Sequence, residues 1–534
     1  MHTQYESRDD LNDSKVLGLI NGNIYVSFKP LKRVKALAIA YGKVIAIGDN
    51  DYVRRIIHGL GGEVIDVGGR TVIPGFIDAH LHLDGVALAL KSLDLRGTRS
   101  INELKSKLKD FVDRNPDLEV IYGRGWDQEL FIEGRWPTRY DIDDVVDDKP
   151  VILIRVCGHA ALLNTKAMED LDLIRSKSKD VIRDEKGIPT GIVKESIIDM
   201  ISSYVKGKLV REYDRYIHDA INYLISQGIT SIGYVSADIK TVNTLLRLTR
   251  EGKALLRIHA YLDLSDFEKF LSFMGSPIYS DYISVVGVKV FLDGSLGART
   301  ALLTKPYNDD PQNSGQELVS VNDLTKLMDK AFSNGFQVAA HAIGDKAIDN
   351  AIVAYGKVRS SIKRSNIHFR IEHASVIRPD QIRKLRELDV AVTIQPRFVI
   401  SDWWVVRRVG TERVKWVYPF KIMKNEGITI GLSTDAPVEP SNPWETVYAA
   451  VTRGSLDGIE LSKYTAYEAL SISEALHLYT YGSARVLNVK DLGKLLPSYR
   501  ADFIVLSNDP LVTKPKELRR IKVLEVWIGG LRVK

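Results

Sequence analysis

Hydrophobic and polar positions change rhythm twice along this chain. Over residues 15–74 apolar and polar residues alternate in short runs, "LGLINGNIYV", "ALAIAYGKVIAIG" and "GEVIDVGGRTVIPG", broken at Asn-Gly and at Tyr-Gly-Lys. Alternation of period two predicts half-buried strands, and the two breaks predict hairpin turns. The same texture returns at the far end, in "ADFIVLSNDP" and "KVLEVWIGGLRVK". Two β-rich ends around a different middle predict one small composite β-sandwich, built from 15–74 and 486–534.

The middle alternates strand and helix. "PGFIDAH", "ITSIGYV", "LLRIHAYL", "SVVGVKVFLDG", "FQVAAHAIGD", "HFRIEHAS", "VAVTIQP" and "ITIGLSTDAP" are eight apolar runs, and amphipathic segments such as "VNDLTKLMDKAFSNG" and "KAIDNAIVAYGKVRSS" lie between them. Such alternation predicts parallel βαβ units, and eight of them predict an α/β fold of the (β/α)8 barrel type, placed at 75–92 and 211–485. One stretch interrupts the rhythm. About 130 residues separate the first strand from the helical "REYDRYIHDAINYLISQG", far more than an ordinary βα loop holds. A segment leaving the C-terminal end of a barrel strand emerges at the face where barrel active sites sit, so 93–210 reads as an inserted cap subdomain.

Composition narrows the class. With 45% hydrophobic and 27% charged residues the chain is globular. The net charge of +6 is not gathered into a long basic run or a basic helix with interleaved aromatics, which disfavours nucleic acid as a partner. The one cysteine, Cys157, excludes an intrachain disulfide and a cysteine-based zinc site, and fits a reducing compartment. The opening "MHTQYESRDDLNDSK" is polar and acidic, unlike a signal peptide, and no apolar run approaches a membrane span. The expectation is a soluble, cytoplasmic protein with a small-molecule substrate and no membrane or nucleic-acid partner.

Chemistry enters through the histidines. There are only 11, and four of them fall at the C-terminal ends of predicted barrel strands. His80 and His82 end the first; residues i and i+2 of a strand share a face, so both imidazoles can grip one ion. His341 ends "FQVAAHAIGD", His373 ends "HFRIEHAS", Asp435 ends "ITIGLSTDAP", and Lys289 lies in "VKVFLDG". Each alone has an ordinary explanation: a hydrogen-bonded histidine, a turn-forming aspartate, a lysine reaching the surface. In a barrel, however, these ends converge on one mouth, and their joint placement predicts a metal site. Neutral imidazoles and a carboxylate suit zinc or a similar divalent ion. A bound metal ion brings the pKa of water towards neutrality and provides a nucleophile without Ser or Cys, and Asp435 is the candidate to take and return its proton. An ammonium is repelled by a cation, so Lys289 is neutral, carboxylated or away from the metal.

These residues resemble the amidohydrolase superfamily of metal-dependent hydrolases. "GRGWDQ", "GHAALLNTKAM", "PTGIVKE", "VKVFLDGSLGARTALL", "HAIGDKAID", "RIEHAS" and "STDAPVEPSNPW" narrow the likeness to its amidohydrolase-3 branch, with YtcJ-like and N-substituted formamide deformylase-like members. The resemblance implies a composite β-sandwich beside a distorted barrel, one or two metal ions, most often zinc, and a homodimer. It implies that His80 and His82 hold one metal with Asp435, that His341 and His373 hold a second, and that Lys289 is carboxylated and bridges them. The implied activity is hydrolysis of a non-peptide C–N bond, such as an N-formyl or N-acyl amide, by metal-activated hydroxide. Deamination, another hydrolysis on the same site, or a non-catalytic member of the fold are the alternatives.

Substrate-binding candidates are Trp126, Asp127, His159 and Asn164 on the insertion and Arg299 after "DGSLGA". Trp126 is equally suited to packing the cap, and Arg299 to pairing with a structural carboxylate. Glu372, adjacent to His373, is expected on the opposite face in a structural pair, and His259 behind the ligands.

Overall fold

The computed structural model describes residues 16–155, 160–194, 196–209, 213–359 and 369–534. It divides into two units, one of residues up to Asp84 and from Ala220 onward, the other Gly85–Asp219.

In the first unit the eight apolar runs form one sheet of eight strands, all paired in parallel with their sequence neighbours. Numbered 1 to 8, they are Phe76–Leu81, Ile229–Ala237, Arg257–Leu262, Ile283–Phe291, Gln337–Ala342, Phe369–His373, Ala391–Ile394 and Ile430–Leu432. Helices cover the outside. In Val321–Ser333 the positions Leu324, Leu327, Met328, Ala331 and Phe332 are buried, a stripe of helical period, and the Ser320 side chain caps the start by accepting from Asp323 N–H. The barrel closes just beyond the ends of strands 8 and 1. Asp435 N–H donates to His80 O at 2.9 Å and His82 N–H to Ala436 O at 2.8 Å. The Asp78 carboxylate adds a clamp, accepting from the backbone N–H and the hydroxyl of Thr434 and from the Tyr479 hydroxyl. Close approach at this side requires a glycine: a Cβ on Gly233 of strand 2 would lie 2.2 Å from Ala79 O.

Two further sheets share one apolar core. One has the order Lys43–Gly48, Ala36–Ala40, Leu17–Ile20, Glu63–Asp66; the other runs Leu531–Arg532, Val523–Ile528, Phe503–Leu506, Thr71–Pro74, Asn23–Phe28, Leu31–Val34. Leu19, Ile39, Val72, Phe503 and Trp527 meet between them. Tyr41-Gly42 makes the tight hairpin expected, with both residues at positive φ. Asn21-Gly22 does not: the strands on either side of it lie in different sheets, so this turn switches the chain between layers. The run read as strands and turns also contains a helix, Asn50–Gly59, capped by Asp49 and buried through Val53 and Ile57. That i, i+4 pair behind an Asp cap was a helical signal in the sequence.

The second unit carries a six-stranded mixed sheet, ordered Val181–Arg183, Pro189–Lys194, Ala160–Leu163, Val151–Arg155, Ile121–Trp126, Leu93–Asp94, with its own apolar core. It extends beyond the 93–210 read from the sequence because its flanks bind each other: Lys91 pairs with Asp219 at 2.8 Å and lies over the Tyr216 ring. Among the described residues no helix is long and apolar enough to cross a membrane.

Barrel and sandwich are joined by a buried ion pair within the first unit. Arg257, at the start of strand 3, donates to both carboxylate oxygens of Asp502 at 2.6 and 3.0 Å, and Asp502 also accepts from Gly529 N–H. Removing one partner strands the other charge, so Asp502→Ala is expected to cost about 3–5 kcal/mol in denaturant unfolding. The apolar double replacement Arg257→Met with Asp502→Leu is expected to recover most of that loss.

Candidate metal centre

Strand 1 carries Asp78 and His80, and His82 follows directly after its end. His80 is fully buried, and its Nδ1 lies 2.5 Å from Glu372 Oε2. A carboxylate there can only accept, so Nδ1 bears the proton and the Nε2 lone pair points the other way, 3.3 Å from Asp435 Oδ1. Strand 6 supplies Glu372 and His373. Simple pleat alternation puts neighbours on opposite faces, but His373 (φ 75°) and Ala374 (φ 46°) are left-handed. That turn brings the His373 ring within 5.0 Å of the His80 ring although Glu372 touches the same histidine. The expectation that Glu372 faces away from the ligands is therefore corrected: it holds one of them. Asp435 is also left-handed, at φ 60°. Such non-glycine conformations cost about 1–3 kcal/mol each and concentrate where function fixes the backbone.

His373 Nδ1 donates to Gln395 Oε1 at 2.9 Å, and Gln395 in turn donates to Ser433 Oγ, which leaves the His373 Nε2 lone pair for a ligand. His341, on strand 5, packs its ring 4.5 Å from that of His373. Its Nε2 faces the Gly294 carbonyl at 3.0 Å and so carries the proton, leaving Nδ1 as its free donor atom. Burial, with the Lys289 ammonium adding to it, pushes the His341 imidazole down to about 3, and burial with neighbouring His341 holds His373 well below its ordinary range. Both rings are neutral near pH 7, the form that ligates metal.

His80, His373 and Asp435 each offer a ligand atom within 4.8 Å of the others. Among the buried polar atoms with no hydrogen-bond partner are His80 Nε2, Asp435 Oδ1 and Lys289 Nζ. With Nδ1 of His80 protonated, two acceptors face each other across 3.3 Å unless a proton or a metal ion satisfies both. An imidazole–imidazole–carboxylate set of this size fits a divalent ion. His82 reaches the same carboxylate oxygen at 3.4 Å with its side chain 25% exposed. The tight cluster thus takes one histidine from each of the two expected pairs, His80 from one and His373 from the other. Lys289 is buried, with its ammonium pushed down to about 8 by burial, against the pull of Glu372 and Asp435. All six residues line one cavity of about 370 Å³.

The other candidates that the structure describes have partners of their own. Trp126 is fully buried in the second unit, donating its indole N–H to Leu153 O and packing edge-on to Trp136. Asn164 is also fully buried; it accepts from Val151 and Ala167 N–H and donates to Val146 and Lys149 carbonyls, so its amide is used in holding the fold rather than a ligand. Asp127 pairs with Arg155 at 2.7 Å. His159 lies outside the described residues. Arg299 binds the structural carboxylate of Asp309 through Nε and Nη2. His259 is half-buried; desolvation, with the nearby Arg257, Arg500 and Arg370 charges adding to it, pushes it down to about 3. The sequence reading missed Gln395 and Asp293. Asp293 is buried, accepts from Leu302, Ile343 and Gly344 N–H, and lies 3.5 Å from His341 Nε2. The signal for Gln395 was its place at the end of strand 7, in "TIQP".

Known proteins resemble this chain along almost its whole length. The protein YtcJ of Bacillus subtilis (strain 168) is 30% identical over 525 residues, 95% of this chain and 97% of its own. The N-substituted formamide deformylase of Arthrobacter pascens is 25% identical over 96% of this chain and 97% of its own. The crystal structure of a metal-dependent hydrolase from Pyrococcus horikoshii OT3 superposes with a TM-score of 0.84 at 43% identity, covering 94% of this chain and 99% of that one. The sequence model of the amidohydrolase family matches residues 63–533, and with that match the chain belongs to the amidohydrolase family.

Proposed function

We propose that this protein is a metal-dependent hydrolase of non-peptide C–N bonds in small amides, N-formyl or N-acyl amines among them. The observation that carries this reading is the convergence of the unpartnered His80 Nε2 and Asp435 Oδ1 with His373 in one cavity. The names of the Arthrobacter relative and the Pyrococcus structure point the same way.

His80, His373 and Asp435 would hold the ion, with His82 and His341 beside them. Zinc is the proposed metal, one or two per chain. When bound, the metal would act as Lewis acid on the substrate carbonyl and make water acidic enough to attack near neutral pH. The chain's own residues do the rest. Glu372 and Gln395 fix the tautomers of His80 and His373 through their Nδ1 protons. Asp435 accepts the proton of the attacking water and returns it to the leaving nitrogen as the C–N bond breaks, so that amide and water become carboxylic acid and amine. Lys289, with burial favouring its free amine, is suited to take up carbon dioxide and lose a proton, and the anionic carbamate so formed would be a further group able to help hold metal.

Elemental mass spectrometry on protein prepared with zinc and bicarbonate is expected to find metal in every chain, and Lys289→Met to lower the count. Protein that retains no metal overturns the reading. Glu372→Gln is expected to weaken metal affinity about 10- to 100-fold in a chelator competition while circular dichroism stays unchanged. Asp435→Asn is expected to lower kcat/KM for an N-formyl amine by at least about 100-fold in protein whose metal content is measured alongside. Full activity in that variant would remove Asp435 from the proton transfer.

A further inference from the structure

Beyond the metal-binding side chains, the cavity wall is largely apolar, with Phe291, Leu296, Ile343, Phe398 and Val438. One more carboxyl lines it, that of Asp402. Asp402 ends the short helix Phe398–Ser401, which follows strand 7, and its Oδ2 accepts from the Tyr418 hydroxyl at 2.5 Å. Tyr418 also lines the cavity.

What sets Asp402 apart is what it lacks. Several buried carboxylates of this unit have cations or several N–H groups beside them: Asp502 has Arg257, Glu372 has His80 and Arg370, Asp293 has three backbone N–H groups, while Asp435 faces the imidazoles of the metal centre. Asp402 has one hydroxyl among the described residues and no ion pair; Arg408 favours its charge from a distance and Glu439 opposes it. Burial pushes its carboxyl up to about 7, with Glu439 adding to the push. Asp402 is part-buried at the edge of an apolar wall, where a carboxylate with no cation beside it is open to pairing with a cationic ligand. It faces the space where a substrate would lie, so a substrate can supply the missing charge.

We propose that Asp402 and Tyr418 form the binding site for a cationic nitrogen on the substrate, so that this enzyme acts on small amides with an ammonium-type group separated from the scissile bond by an apolar stretch. The proposal rests on the cavity being the hydrolase site. The apolar wall suits the linking stretch, the free oxygen of Asp402 pairs with the cation, and the rings of Tyr418 and Phe398 add favourable π faces.

The test uses two ligands with no bond the enzyme can hydrolyse. Choline and 3,3-dimethylbutan-1-ol share shape and hydroxyl and differ in charge, so contacts of the hydroxyl with metal cancel between them. Both are titrated into the zinc-loaded full chain by saturation-transfer NMR at pH 7.5. Choline is expected to bind about tenfold more tightly. Asp402→Asn is expected to abolish that preference while leaving the affinity for the alcohol unchanged, and Tyr418→Phe, which keeps the charge, to reduce it. Equal affinities in the unaltered protein overturn the proposal, as does a preference that survives Asp402→Asn. If Asp402→Asn does not fold, a preference undiminished in Tyr418→Phe overturns it. Turnover of neutral N-acyl amines without any choline preference would leave the hydrolase reading standing and remove this one alone.

Discussion

Everything at this site depends on how the barrel closes. No ladder joins strands 8 and 1; the closing bonds lie just past the strands, between Asp435 N–H and His80 O and between His82 N–H and Ala436 O. The same two bonds that complete the cylinder place the Asp435 carboxylate against the imidazoles of His80 and His82. The Asp78 clamp on Thr434 holds this junction by hydrogen bonds in a fully buried setting, where burial pushes the Asp78 carboxyl up to about 6. Closure and ligand assembly are one event here.

Beneath the ligands the barrel interior is polar rather than aliphatic. Arg370 lies over the Tyr261 ring and beside Glu372, which holds His80, while Gln395 and Ser433 hold His373. A core of this kind gives up apolar burial, and what it returns is orientation: each imidazole is fixed in ring plane and tautomer before any ion arrives. Left-handed backbone at His373 and Asp435 belongs to the same arrangement, since it aims two ligands from positions that regular strand geometry would turn elsewhere.

The barrel was legible in the sequence because parallel strands covered on both faces read as unbroken apolar runs, and their order in the chain is their order in the sheet. His80, His373, His341 and Asp435 were legible because rare residue types recurred at strand ends. What escaped had no local signature. Glu372 was assigned to the wrong face because alternation assumes regular strand backbone, and the turn at His373 is visible only in three dimensions. Asp293 and Asp402 sit in loops whose paths depend on distant partners: Asp293 on N–H groups from Leu302, Ile343 and Gly344, Asp402 on Tyr418. Asn21-Gly22 read as a hairpin because a turn dipeptide says that the chain bends, not which sheet it enters. Trp126 and Asn164 drew attention as chemically versatile residues, and burial inside the second unit accounts for both.

The strand Thr71–Pro74 runs through Gly75 directly into barrel strand 1, and it lies between Asn23–Phe28 on one edge and Phe503–Leu506 on the other. Ribosomal synthesis proceeds from Thr71–Pro74 to Phe503–Leu506 with the whole barrel in between. The edge of Thr71–Pro74 towards Asn23–Phe28 can pair as soon as both strands are made, whereas the edge towards Phe503–Leu506 stays open while the barrel between them is synthesised. Closing that edge of the sandwich is thus a long-range pairing, which must wait until the barrel segment between the two strands has been made.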